Sequence, residues 1–305
     1  MAEPLRRRLR ARALEALSQA TGGVGDALVR GLLRTAAEAA RWSKYERIAD
    51  DNLALALPEL SAEQRARILR GVRRHTERIV HEWLVLAGPR SAAPIERVEC
   101  SEAIRRLREL RSGGRGLIIA TAHIGNWEVL AARLRREGFE GAVVGAKKRN
   151  DSSSDWLVRM RAAHGVRSIA QDDSPRAALE LLRNGGTLGL LCDLEVRRLA
   201  GESVPFFGRP AWTMSAPAAL ARAARLPLVP VHCVARGDGY EMRVEEPLEL
   251  APARDRHAAQ LELLSRLNAT YERWIRAAPE QWVWYRPRWS DTRELNRAGA
   301  RRARP

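Results

Sequence analysis

Apolar and polar positions divide the chain into two kinds of pattern. Up to about residue 95 the period is helical. Leu28, Val29, Leu32, Leu33, Ala36, Ala37 and Ala40 fall on one stripe of a helix. Gly22, Gly23 and Gly25 separate that helix from the one before it. A further helix is predicted over 61–87, opened by Ser61 with Glu63 and Gln64 close behind, the residue types of an N-terminal cap.

From about residue 96 short apolar runs alternate with helical stretches. Gly113-Gly114-Arg115-Gly116 turns into a buried strand over 117–122, followed by a helix to about 137 and a strand over 142–146. A helix over 154–164 precedes a short strand at 167–170. Ser174-Pro175 then opens a helix, serine as cap and proline at the first helical position. That helix ends at Asn184-Gly185-Gly186 and leads into a strand over 187–192, and 213–225 is helical. Strands at 228–234 and 240–244 are joined by a Gly-Asp-Gly turn, and a long helix covers 255–277. Such alternation predicts an α/β fold, a mostly parallel central sheet flanked by helices. The expected organisation is an N-terminal helical, membrane-associating region over 1–95, an α/β core over 96–290 and a basic tail over 291–305.

Composition supports a sizeable core: 45% of the 305 residues are hydrophobic. The charge is less ordinary. The net charge is +16, and fifty of the 53 basic residues are arginine. Arginine used as a generic helix-surface residue accounts for part of this. The alternative is a polyanionic partner: anionic lipid, an acidic carrier protein, a phosphorylated substrate or nucleic acid. Residues 1–47 hold ten basic against five acidic side chains, so this basic amphipathic stretch either lies in a lipid interface or packs on its own domain. Cys100, Cys192 and Cys233 are far apart, which implies neither a disulfide framework nor a zinc site and fits a reducing compartment. No signal-peptide core and no apolar run of about 18 residues is found, so contact with a membrane is expected from the side.

The chemistry concentrates in Ile119-Ala120-Thr121-Ala122-His123-Ile124-Gly125-Asn126-Trp127-Glu128. A short apolar strand ends at His123, Gly125 permits a sharp turn, and Asn126 is placed to cap the next helix. The carboxyl ends of strands in an α/β sheet border the usual ligand crevice. Five residues apart is not one helix face. With His123 in the turn before the helix, however, one ring nitrogen is expected to meet the Glu128 carboxylate while the other points outward. Such a histidine is a general base suited to neutral pH. The plain alternative is a surface or hydrogen-bonded histidine at a strand end.

The segment TAHIGNWEVL resembles the H-x4-D/E motif of glycerolipid-type acyltransferases and, more closely, the bacterial lipid A biosynthesis lauroyl/myristoyl acyltransferases. Further stretches agree in order: Asn52-Leu53 to Pro58-Glu59, Arg161 to Gly165, Gly189 to Asp193, Val204-Pro205-Phe206-Phe207-Gly208-Arg209-Pro210-Ala211, Leu228 to Val231, and Pro279-Glu280-Gln281-Trp282-Val283-Trp284 to Trp289. The likeness spans roughly 45–290. Departures are the missing N-terminal spanning helix common in that family, Leu194 where glutamine often follows the aspartate, and Tyr285 where histidine is common.

The resemblance implies transfer of a fatty acyl group to a hydroxyl of a lipid A precursor or a related glycolipid or phospholipid. The donor would be an acyl carrier protein or acyl-CoA thioester. The place would be the cytoplasmic face of the bacterial inner membrane, with the protein peripheral and bound to its anionic surface, and no cofactor or metal is implied. His123 and Glu128 are the expected catalytic residues. Asn126, Arg161, Asp193, Phe207, Gly208 and Arg209 are substrate-binding candidates, each with a structural alternative: cap, solvated arginine, or tight turn. No G-x-S-x-G elbow occurs, so no acyl-enzyme is expected. Trp282, Trp284 and Trp289 suit either a membrane boundary or the core. A competing reading is a non-enzymatic basic protein that binds nucleic acid or anionic lipid, suggested by seven arginines against two acids between Arg286 and Arg304. No nucleic-acid motif supports the nucleic-acid branch, so that partner is not expected.

Overall fold

The computed structural model describes residues 5–145, 151–171, 175–252 and 254–290. Lys147, Lys148, Ser174 and the basic tail from 291 lie outside these.

The chain begins with four helices: α1 (Leu5–Ala20), α2 (Val24–Ala39), α3 (Lys44–Ala56) and α4 (Ala62–Leu86), with a 3₁₀ turn at Ala40–Trp42 before α3. The expected cap of α4 is a full capping box. The Ser61 hydroxyl accepts from the Gln64 N–H at 3.2 Å, and the Gln64 side chain accepts from the Ser61 N–H at 2.7 Å. Then come α5 (Ala93–Glu96), β1 (Val98–Glu99), α6 (Ser101–Leu110), β2 (Leu117–Thr121), α7 (Trp127–Arg136), β3 (Gly141–Gly145), α8 (Ser152–Ala163), β4 (Arg167–Ala170), α9 (Pro175–Arg183) and β5 (Thr187–Leu191). The remainder is β6 (Gly201–Phe206), β7 (Arg209–Met214), α10 (Ala216–Ala224), β8 (Leu228–Arg236), β9 (Gly239–Val244) and α11 (Arg256–Ala277).

The seven-stranded sheet has the order β1-β9-β8-β2-β5-β3-β4. All neighbouring pairs are parallel except β8 with β9, which form a hairpin. Central strand β2 is buried at every position, as a continuous apolar run between two helical layers requires. Two apolar clusters form the core, and both draw on helices before residue 95 as well as on the sheet: Leu53, Leu69 and Val72 enter one, Val29, Leu84 and Leu86 the other.

One hairpin was not read from the sequence. No element was assigned to 201–212 and the next helix was expected from 213, yet the helix begins at Ala216 and β6 and β7 form a separate antiparallel hairpin. Its two-residue turn is Phe207-Gly208, with φ of 52° and 68°. Positive φ at both positions is the turn that matches strand twist, normally made by Asn-Gly. Phenylalanine there hides the usual signal. What holds it is packing: Phe207 is buried, its N–H donates to Glu272 Oε1 at 2.7 Å, and the Arg276 guanidinium lies over its ring.

Candidate active site

Sheet register builds the centre of the site. In the parallel pair β2–β5, Thr121 stands opposite Leu191. Two residues further along each strand, His123 therefore stands beside Asp193. The Cys192 N–H, donating to the Thr121 carbonyl at 3.2 Å, keeps the two chains together past the strand ends. Asp193 is fully buried. Its Oδ1 lies 2.8 Å from His123 Nδ1, and its Oδ2 accepts from the His123 backbone N–H at 2.9 Å and from Trp282 Nε1–H at 2.7 Å. Burial pushes the Asp193 carboxyl upward, but the neighbouring imidazole and these donors outweigh it, and the net shift is below the ordinary carboxylate value. An ionised carboxylate only accepts, so Nδ1 carries the hydrogen and the neutral ring keeps its lone pair on Nε2. Nε2 has no hydrogen-bond partner among the described residues. The imidazole is a quarter exposed and meets the Trp127 ring edge-on at 4.8 Å.

Three contacts from other elements fix the loop that carries His123. The Gly125 N–H donates to the Gln281 carbonyl at 3.1 Å, and the Asn126 N–H to the Cys233 carbonyl at 3.0 Å. The Gly125 carbonyl accepts from His75 Nε2 at 3.2 Å, a histidine whose pKa burial lowers to about 4. Gly125 has φ of 59°, and a Cβ there would lie 1.8 Å from the Cys233 oxygen, so only glycine fits. Asn126 caps α7 through Val129 N–H and is fully buried. Its Nδ2 donates to Glu82 at 2.8 Å, and Trp83 donates to its Oδ1 at 3.3 Å. The sequence had singled out neither His75, Glu82 nor Trp83; α4 brings all three to this loop from forty to fifty residues away.

The expected His123–Glu128 contact is not formed. Glu128 projects from the first turn of α7 towards α8, where Arg161 binds it at 2.8 and 2.5 Å. Both side chains are largely buried, and the carboxylate outweighs desolvation to raise the Arg161 pKa. The acid on the imidazole is instead Asp193, seventy residues away. Arg161 is accordingly an ion-pair partner of Glu128 and not a solvated helix arginine.

Beneath α7 lies a narrow apolar cavity of about 50 Å³, lined by Ile119, Leu130, Leu134, Phe139, Val143 and Leu191 among others. Trp127, Thr121 and the Glu128–Arg161 pair also line it, so it extends to the aromatic ring that touches His123. Residues 119 and 121 of β2 alternate with the opposite face, and His123 continues their row.

The remaining candidates have structural partners. Arg209 Nε donates to the Leu55 carbonyl at 2.9 Å, and Phe207-Gly208 forms the hairpin turn. Their link to His123 is indirect: Phe206 packs on Trp282, which holds Asp193. Trp282, Trp284 and Trp289 are buried, which places them in the core and not at a membrane boundary. Arg288, also buried, donates to the Trp212 carbonyl at 2.6 Å and to Thr213 at 3.0 Å, and burial lowers its pKa to about 10. Among the described residues no cluster of His, Cys, Asp and Glu is arranged to hold a metal ion.

A phosphatidylinositol mannoside acyltransferase of Mycolicibacterium smegmatis is 28% identical over 180 residues, 58% of this chain and 57% of that protein. The chain thus spans a little over half the length of this relative. Residues 17–291 match the bacterial lipid A biosynthesis acyltransferases, and the chain belongs to that family.

Proposed function

We propose that the protein transfers a fatty acyl group from a thioester to a hydroxyl of a membrane glycolipid or phospholipid, with His123 as general base. The observation that carries this is the 2.8 Å contact from Asp193 to His123 Nδ1, which selects the tautomer whose lone pair is on Nε2, at the rim of the sheet. In the proposed step the acceptor oxygen attacks the thioester carbonyl while its proton passes to Nε2. The C–S bond then breaks and the imidazolium returns that proton to the departing thiolate. Asp193 stays ionised, fixing the tautomer and balancing the imidazolium. Glu128 acts here as a positioning residue, through Arg161, beside the narrow apolar cavity under α7.

The family points to lipid A precursors, and the mycobacterial relative is named for a mannosylated phosphatidylinositol. A phosphate-bearing glycolipid is the acceptor class common to both. The donor is an acyl carrier protein or acyl-CoA thioester. Peripheral attachment to the cytoplasmic face of the inner membrane is supported by two facts. No described helix is long and apolar enough to cross a membrane. And Leu5, Leu9, Leu28, Leu32, Trp42 and Tyr45, the exposed large hydrophobic residues among those described, all lie in the arginine-rich first 45 residues.

The test is incubation of the full chain with acyl-CoA or acyl carrier protein donors and a panel of lipid acceptors, products resolved by mass. His123→Ala should lower turnover about 10²–10⁴-fold with the fold intact. Near-normal turnover of the variant would remove the base assignment.

A further inference from the structure

We infer that the groove between α2, α3 and α4 is a second lipid site, holding one anionic phospholipid of the bilayer apart from the catalytic centre. The inference rests on the membrane-surface reading above.

The groove has a volume of about 360 Å³, at the lower end of the range of roughly 300–1,000 Å³ that ligand sites occupy. Ala37, Ala40, Ala49, Val72 and the rings of Tyr45 and Tyr285 give it apolar surface for an acyl chain, and Ser43, Glu46 and Thr76 are polar positions beside them. Cations stand at its edge. Arg286 is exposed and forms no ion pair among the described residues. Arg73 is partly committed to Glu46, with Glu38 4.0 Å away, but its Nε has no partner among the described residues.

The segment that gives the groove Ala40, Ser43 and Tyr45 also carries two cation–aromatic pairs, Arg41 over Trp42 at 4.5 Å and Lys44 over Tyr45 at 5.3 Å. Trp42 is 80% exposed. Amphipathic rings with adjacent cations suit the headgroup level of a membrane, so the groove opens where phospholipid is the neighbouring material. The α2 stripe agrees. Val29 packs inward, while Leu28 and Leu32, on the same apolar stripe, face outward.

The floor is held firmly. Asn52 Nδ2 donates to the carbonyls of Trp284 and Arg286 at 2.7 Å each, which sets the Tyr285-Arg286 wall against α3.

The experiment loads the full chain with phosphatidylglycerol or phosphatidylcholine in detergent and counts retained lipid by native mass spectrometry. Attachment to vesicles of the same lipids is measured separately. One phosphatidylglycerol per chain is expected, preferred over phosphatidylcholine. Arg286→Glu should weaken retention about tenfold, the effect of losing one charge-assisted contact. Ala40→Trp, at an exposed position, should fill the groove and abolish retention while vesicle attachment persists through Leu28, Leu32 and Trp42. Circular dichroism checks the fold of each variant, and Arg286→Glu decides alone if Ala40→Trp does not fold. Retention unchanged in a folded variant overturns the site. So does retained lipid that is converted to acylated product, which would make it the acceptor, or loss of retention accompanied by a change in oligomeric state, which would make a second copy the occupant. Failure of all vesicle attachment with lipid retention intact would instead count against the membrane-surface reading alone.

Discussion

Asp193→Asn separates the tautomer role of the buried acid from its role in the fold. Asp193 Oδ2 accepts two hydrogens, from the His123 backbone and from Trp282, and Oδ1 faces His123 Nδ1 alone. An asparagine keeps most bonds by placing its oxygen at the Oδ2 position. Its amide nitrogen then points at Nδ1 and donates a hydrogen. The imidazole must accept on Nδ1 and carry its proton on Nε2, where the base needs a lone pair. Two of three hydrogen bonds survive and one is reversed, so the expected stability change is only about 1 kcal/mol. The catalytic loss should be most of the general-base contribution, about 10²–10⁴ in kcat, or about 3–5 kcal/mol in the barrier. Single-turnover acyl transfer from acyl-CoA gives the rate, a thermal melt gives the stability, and nitrogen-15 chemical shifts of the imidazole give the tautomer. A folded variant with kcat near that of the parent, or a ring still protonated on Nδ1, would refute the reasoning.

Glu128 should behave in the opposite way. Glu128→Leu leaves the Arg161 cation buried without its partner, and about 3–5 kcal/mol of stability should be lost, most of it recovered in the Glu128→Leu/Arg161→Leu double variant; urea melts check this, and a double variant no more stable than the single would count against a primarily structural ion pair. Gly125→Ala places a methyl group 1.8 Å from the Cys233 oxygen at a φ of 59°, so turnover should collapse with a stability loss of at least about 2 kcal/mol; wild-type turnover would show that the loop is not held as described. His75 and His232 are buried, with pKa values lowered from 6.5 to about 4. The unfolded chain therefore binds more protons between those values, and stability should fall as pH drops from 6.5, by about 2 kcal/mol per histidine at pH 5. Urea midpoints that do not move between pH 7 and pH 5 would contradict this.

Local patterns along the chain determined much of the protein. The buried strand 117–121, the Ser61 cap, the glycine break after α1 and the β8–β9 turn all follow from neighbours within a few residues, whose steric and hydrogen-bonding rules act wherever they occur. His123 was legible for the same reason, being the polar residue that ends an apolar strand before a glycine. Its partner was not. Whether Glu128 or Asp193 meets the imidazole depends on the register of β2 against β5 and on the direction in which α7 leaves Asn126. Register is a property of paired strands, and no run of residues in either strand encodes it alone. The same holds for Phe207, where core packing overrides a turn preference, and for Glu82 and His75, which reach the loop only because α4 packs against it. Chemistry that depends on which nitrogen carries a proton is thus settled by contacts between segments distant in sequence, since only tertiary packing brings a buried carboxylate within 3 Å of one chosen atom.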